Sequence, residues 1–226
     1  MPTVLITGCD RGLGREFALQ YARQGWTVWA TYLDAAHAID DDPSPGTLHH
    51  ALLDVTDATQ FAALRERMAR APIDLLVSNA GIGLDAGRIG TLDHGYVARM
   101  LEVNLAGALR TVDTFVEQVV ASRRGRIVLV TSRMGSIASN LSGGHYGYRA
   151  SKAGLNAIGR SLAIDLFPRG VTVALLHPGW VATAGGSPDA PFTAAQSVQA
   201  MRGVIARLGN HETGVFLGPD GQPLPW

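Results

Sequence analysis

Cysteine is almost missing from this chain: Cys9 is the single one among 226 residues. One thiol excludes an intramolecular disulfide and any thiolate-rich metal site. Neither sign of charge is in excess, since 19 Lys+Arg face 19 Asp+Glu. No net field therefore favours nucleic acid, an anionic membrane or a polyanionic substrate. No apolar run approaches the ~18–20 residues that span a bilayer. Met1-Pro2 leads straight into Thr3-Val4-Leu5-Ile6, without the pattern of a signal peptide. The histidines lack metal-ligand spacing, so no metal site is expected. What is present, 46% hydrophobic and 17% charged residues, is the composition of a globular protein able to bury a sizeable core. The expectation is a cytoplasmic protein with no nucleic-acid and no membrane partner.

Short β-branched runs alternate with helical stretches along the whole chain. Residues 3–6 read as a buried strand, followed by a glycine-rich turn and an amphipathic helix to about Gln24, which Gly25 stops. Further strands are predicted over 26–31, 47–53, 73–78, 126–131, 171–176 and 215–217. Helices are predicted over 57–69, 93–122, 146–167 and 194–208, the third stopped by Pro168 and Gly170. The acidic Asp40-Asp41-Asp42 run reads as part of a solvated loop. Apolar runs such as Ile127-Val128-Leu129-Val130 suit strands buried on both sides. Strands separated by helices argue for an α/β fold, a parallel sheet with helices on both faces. With no linker and no internal repeat, one domain over 1–226 is expected.

Two constellations carry chemistry. Thr7-Gly8-Cys9-Asp10-Arg11-Gly12-Leu13-Gly14 joins the first strand to the first helix. Its glycines permit a tight turn and let backbone N–H groups approach a pyrophosphate, and the helix N-terminus adds the positive end of its dipole. The spacing is G-x-x-x-G-x-G, and Cys9 reads as a passenger. The second constellation is Tyr148 and Lys152, four apart and so on one helix face. A free phenol titrates near pH ~10 and exchanges protons poorly at neutrality. A lysine charge beside it favours the phenolate and moves it toward the working range. Such a pair can pass a proton to or from an alcohol or carbonyl oxygen.

With both in hand, the chain resembles the short-chain dehydrogenase/reductase family, and the likeness runs from Val4 to the C-terminus. Within it, Tyr146-Gly147-Tyr148-Arg149-Ala150-Ser151-Lys152-Ala153, Leu176-His177-Pro178-Gly179-Trp180-Val181 and the ending Gly221-Gln222-Pro223-Leu224-Pro225-Trp226 are similar to the Sniffer/C-factor branch of carbonyl-reductase-like members. The resemblance implies a Rossmann-like sheet of about seven strands. It implies a dinucleotide held by Gly8, Asp10, Arg11, Gly12, Leu13 and Gly14, with Tyr32 near the adenosine ribose. Asp54-Val55 would contact the adenine, and Asn79-Ala80-Gly81 would support the sheet and border the ribose. Pro178, Gly179, Val181 and Thr183 would form the nicotinamide-side loop. Ser132 would polarise the substrate, Tyr148 act as general acid or base, and Lys152 hold down the phenol's pKa and bind ribose. Asn104 would link Lys152 to solvent through water. The interval from Ser132 to Tyr148 is longer than the family's usual spacing, so Ser136 is a rival for the serine role. His177 reads as packed, not catalytic.

A carboxylate after the second strand selects NAD, and an arginine there favours the 2′-phosphate of NADP. Arg11 resembles the arginine that meets that phosphate, while Asp34 argues the other way. NADP(H) is slightly favoured over NAD(H). The segment 184–193 is short and rich in Gly, Pro, Ser and Ala, which implies an open site for small or varied carbonyl or alcohol compounds. A homodimer or homotetramer through the helices of 93–122 and 146–167 is implied. The alternative is a non-enzymatic dinucleotide-binding sensor on the same fold, which would have no need of the proton relay.

Overall fold

A computed structural model of the chain describes residues 1–39, 45–83, 87–182 and 189–226. The strands are β1 (Thr3–Ile6), β2 (Thr27–Tyr32), β3 (Thr47–Leu52), β4 (Leu75–Ser78), β5 (Arg126–Val130), β6 (Thr172–Leu176), β7 (Val181–Ala182), β8 (Phe192–Thr193) and β9 (Val215–Leu217). The helices are α1 (Gly12–Ala22), α2 (Ala58–Arg67), α3 (His94–Leu101), α4 (Gly107–Val120), α5 (Tyr146–Leu166) and α6 (Ala194–Arg207).

Seven strands form one parallel sheet in the order β3-β2-β1-β4-β5-β6-β9. The chain builds outward from β1 in one direction and from β4 in the other. The switch between β1 and β4 opens a crevice at the strands' C-terminal ends, where doubly wound sheets bind their ligands. Alternate side chains serve two cores, as the pleat requires. Val4, Ile6, Leu75, Val77, Val128, Val130, Ala174 and Leu176 pack with Phe17 of α1 and Met201 of α6. Leu5, Leu76, Ile127, Leu129, Val173 and Leu175 pack with Phe61 of α2, Phe115 of α4 and Leu155 of α5. That two-sided burial explains the unbroken apolar runs.

One predicted element differs. The single helix expected over 93–122 is α3, a π-helical turn at Glu102–Ala106, and α4. Asp93 starts it by accepting from the Tyr96 N–H. The wider turn keeps the apolar pattern, so hydrophobic spacing does not reveal it. Such bulges gather at functional sites, and this one holds Asn104. The small β7–β8 pair is too short to leave a pattern in the sequence. Thr183 and residues 184–188 of the expected substrate segment lie outside the described residues. After them, Thr193 starts α6 with a capping box, its hydroxyl accepting from the Gln196 N–H and Gln196 Oε1 accepting from the Thr193 N–H.

Candidate active site

The glycine loop and the end of β4 are laced together at the switch point. Thr7 Oγ1 accepts from the N–H groups of Asn79 and Ala80, each at 3.1 Å. Asn79 Nδ2 returns two bonds, to the carbonyls of Thr7 and Gly8 at 3.0 Å. Gly14 presses α1 onto this lacing: a Cβ there would lie 2.0 Å from Gly8 O and 2.6 Å from Asn79 Nδ2. Gly8 adopts φ 73 with Ala80 Cα 2.8 Å from where its Cβ would be. Residue 11, which begins α1, offers no side-chain cap, so the first N–H groups of the helix face the cleft without an internal acceptor. This is the geometry an anion such as a pyrophosphate requires. The residues present fit a dinucleotide. Cys9 beside them is fully buried, and burial raises its thiol far above the ordinary range, so it is inert.

From this loop a cleft of about 670 Å³ runs along the C-terminal edge of the sheet. Gly8, Asp10, Arg11, Gly12, Leu13, Asp54, Val55, Asn79, Ala80, Gly81, Tyr148, Lys152 and Pro178 all line it. Asp10 ties the glycine loop to the end of β2, its Oδ1 accepting from the N–H groups of Leu33 and Asp34. The Asp54 carboxylate accepts from the backbone and hydroxyl of Thr56 and lies 3.7 Å from Arg99 Nη2. Burial works against its charge, but the Thr56 bonds and Arg99 together hold its pKa below the ordinary value.

Tyr32 is not in that lining. Its ring is buried and stacked on His50, with 3.2 Å between its hydroxyl and His50 Nδ1. As the last residue of β2 it follows the pleat into the core. Leu33, Asp34 and His37 come to the cleft in its place. Gly179 and Val181 also stand back from it. A Cβ on Gly179 would meet the Phe192 ring at 3.1 Å, and Val181 pairs with Phe192 in the small β7–β8 sheet.

Beyond Lys152 the proton-handling residues converge. Ser132 lies two residues beyond the end of β5 and starts a short turn, its hydroxyl accepting from the Met134 N–H at 3.1 Å and hydrogen-bonded to the Tyr148 phenol. Ser136, the rival, is buried and committed elsewhere: it donates to Trp226 O and accepts from the Ser139 N–H. Burial raises the Tyr148 pKa, and the Ser132 bond opposes that rise. The Lys152 ammonium lies 5.8 Å from the centre of the Tyr148 ring and donates to Val130 O at 3.0 Å. Burial alone pushes its pKa down to about 8.

Asn104 is fixed by its own side chain. Its Oδ1 accepts from the Ile82 N–H, and its Nδ2 donates to Ile82 O and to Ser151 Oγ. Ser151 in turn donates to Tyr148 O at 2.8 Å. The side chain therefore braces α5 against the loop after β4. His177 is packed, as expected, with burial first and Arg133 second pushing its pKa down to about 4. Sequence reasoning missed Arg99, Val103 and Thr131, whose types carry no pattern. Their roles follow from the topology that brings them to the crevice.

A family model described as short chain dehydrogenase matches residues 2–191. The chain is 40% identical over 164 residues to C-signal of Myxococcus xanthus, covering 73% of this chain and 99% of that one. The carbonyl reductase Sniffer of D. melanogaster superposes with a TM-score of 0.87 at 27% identity, over 100% of both chains. A Burkholderia multivorans protein described as a short-chain dehydrogenase/reductase, solved with bound NADP, gives a TM-score of 0.86 at 31% identity. It covers 100% of this chain and 99% of that one.

Proposed function

Because the chain belongs to the short-chain dehydrogenase family and is an oxidoreductase, we propose that it is an NAD(P)(H)-dependent carbonyl reductase. The observation that carries this is the Ser132–Tyr148 hydrogen bond beside the Lys152 ammonium at the end of the cleft. Along this cleft the residues from Gly8 to Lys152 would hold a nicotinamide coenzyme, which would supply or accept the hydride. Ser132 and Tyr148 offer two donors to the oxygen on which negative charge builds. Tyr148 then gives up its proton to that oxygen, and in the oxidation direction takes one back. Lys152 uses one of its ammonium's three donors on Val130 O and holds positive charge near the phenolate. The test is NADPH and NADH oxidation by the purified protein over a panel of aldehydes and ketones. No turnover on any of them, with coenzyme still bound tightly, would favour the sensor reading.

The coenzyme proposed is NADP(H), by a small margin. At the far end of the cleft Arg11 and His37 stand against Asp10 and Asp34, and the NADP-bound relative supports the phosphorylated form. Asp34 Oδ1 accepts from the Ala36 N–H, a bond asparagine can keep, so Asp34→Asn removes charge with little change of shape. We expect Arg11→Ala to lower kcat/KM for NADPH about tenfold, about 1.4 kcal/mol, and Asp34→Asn to raise it by a few fold, under about 1 kcal/mol. Both coenzymes are compared in each variant. A wild type that prefers NADH, and loses that preference in Asp34→Asn, reverses the assignment.

The short segment 184–193 supports small or varied carbonyl and alcohol substrates. Strong selectivity for one bulky steroid over small aldehydes would overturn that. The outer faces of α4 and α5 expose Leu109 and Ile164, which supports a homodimer or homotetramer, and a monomeric mass by light scattering would refute it. A cytoplasmic site of action is proposed with the reading. Among the described residues no helix is long and apolar enough to cross a membrane.

A further inference from the structure

The long interval between Ser132 and Tyr148 is held by the side chain that follows the tyrosine. Arg149 donates from Nε to Gly144 O at 3.1 Å, from Nη2 to Ser142 Oγ at 3.0 Å, and from Nη1 to Met134 O at 3.4 Å. The first two acceptors lie where the loop ends, and the third where it begins. Met134 is itself bound to the serine, its N–H donating to Ser132 Oγ. The path Ser132–Met134–Arg149 therefore closes a ring through the Ser132–Tyr148 hydrogen bond.

The far end of this loop needs a restraint. Gly143, Gly144 and His145 run consecutively through left-handed backbone, with φ of 64, 66 and 50. His145 is not glycine, and it precedes α5 without a side-chain cap. Left-handed backbone at such a residue is strained and persists where neighbouring structure fixes it. The Arg149 bond to Gly144 O is one such fixing. The middle of the loop is fastened separately, by Ser136 Oγ and the Ala138 N–H donating to Trp226 O.

Resting on the reductase reading above, we propose that Arg149 is a positioning residue that sets the alignment of Ser132 with Tyr148. A planar guanidinium can serve three spread acceptors at once, and a lysine ammonium, being a point charge, does not reproduce the fork. The consequence reaches the chemistry through the phenol. Ser132 stabilises the Tyr148 phenolate against burial, so releasing Ser132 raises the phenol's pKa. Alcohol oxidation needs the phenolate, and its rate then climbs at higher pH.

Arg149→Lys and Arg149→Ala are compared with Ser132→Ala, the double variant Ser132→Ala/Arg149→Ala, and Tyr148→Phe. Both Arg149 variants are expected to lose about 10–100-fold in kcat, with coenzyme affinity unchanged and the rising limb of the oxidation profile moved to higher pH. The double variant is expected to be no slower than Ser132→Ala alone, since both act through one contact. Added guanidinium ion should restore part of the Arg149→Ala rate. A lowered Tm with wild-type kcat and pH profile overturns the proposal and leaves a merely structural staple. So does a double variant whose losses multiply. If Arg149→Ala does not fold, the pH profile of Arg149→Lys decides. Wild-type activity in Tyr148→Phe would instead defeat the reductase mechanism, whatever Arg149 does.

Discussion

Tyr148→Phe is expected to lower kcat for carbonyl reduction by about three orders of magnitude, with coenzyme affinity little changed. Removing a positioned general acid costs about 10²–10⁴-fold, and removing one donor to a developing oxyanion costs about 10²–10³-fold. Both roles belong to one hydroxyl, so the effects do not multiply. Phenylalanine keeps the ring that the Lys152 ammonium approaches at 5.8 Å. Ser132 keeps its bond from the Met134 N–H, so the loss reports the missing proton and not a collapsed site. Because the proposed contacts strengthen in the transition state, kcat and kcat/KM should fall together. Equal turnover in the variant would refute the proton role.

The pH behaviour supplies an independent check. Burial raises the Tyr148 pKa and the Ser132 bond opposes it without cancelling the rise. Reduction uses the protonated phenol and should hold steady across neutral pH. Oxidation uses the phenolate and should climb toward alkaline pH. An oxidation rate that saturates well below neutrality would show a different group titrating.

How far the sequence discloses this site depends on whether a feature is periodic. The strands were legible because alternate residues such as Leu75/Val77 and Leu76 feed two separate cores. The glycine loop was legible because Gly8 and Gly14 are places where any Cβ meets backbone or the Asn79 side chain. The π turn around Asn104 was not, since the extra residue leaves the apolar faces of α3 and α4 intact. Tyr32 was expected at the ribose by its position after the second strand, but the pleat turns it to His50, and Leu33, Asp34 and His37 reach the cleft. Spacing left Ser132 and Ser136 open. The bonds separate them, one on Tyr148 and the other on Trp226. Ser136 and Trp226 are 90 positions apart, and no local pattern encodes such a contact.

Lys152→Met is expected to end turnover and at the same time to make the fold more stable near neutral pH. The ammonium is buried, 6% exposed, and its one hydrogen bond goes to an uncharged acceptor, Val130 O. It makes no ion pair among the described residues. Burial lowers its pKa from 10.5 to about 8. A folded pKa below the unfolded one means that the unfolded chain binds more protons between those values, so stability rises with pH across that window. Below pH ~8 the fold carries the whole penalty, about 3 kcal/mol at about 1.4 kcal/mol per unit. Methionine removes the charge at similar length but leaves Val130 O without its donor, a loss of about 1–2 kcal/mol. The net gain is about 1–2 kcal/mol, or several degrees in Tm for a chain of this size at about 2–4 °C per kcal/mol. Denaturant titrations at pH 7 and pH 10.5 check the sign. The variant should exceed wild type at pH 7 and fall level or below at pH 10.5, where the wild-type lysine is mostly neutral. If it were equally destabilised at both, some compensating anion would have to face Lys152, and the burial argument would fail. A stabilised but inactive variant would show that the fold retains this charge for what it does to Tyr148 and not for what it does for stability.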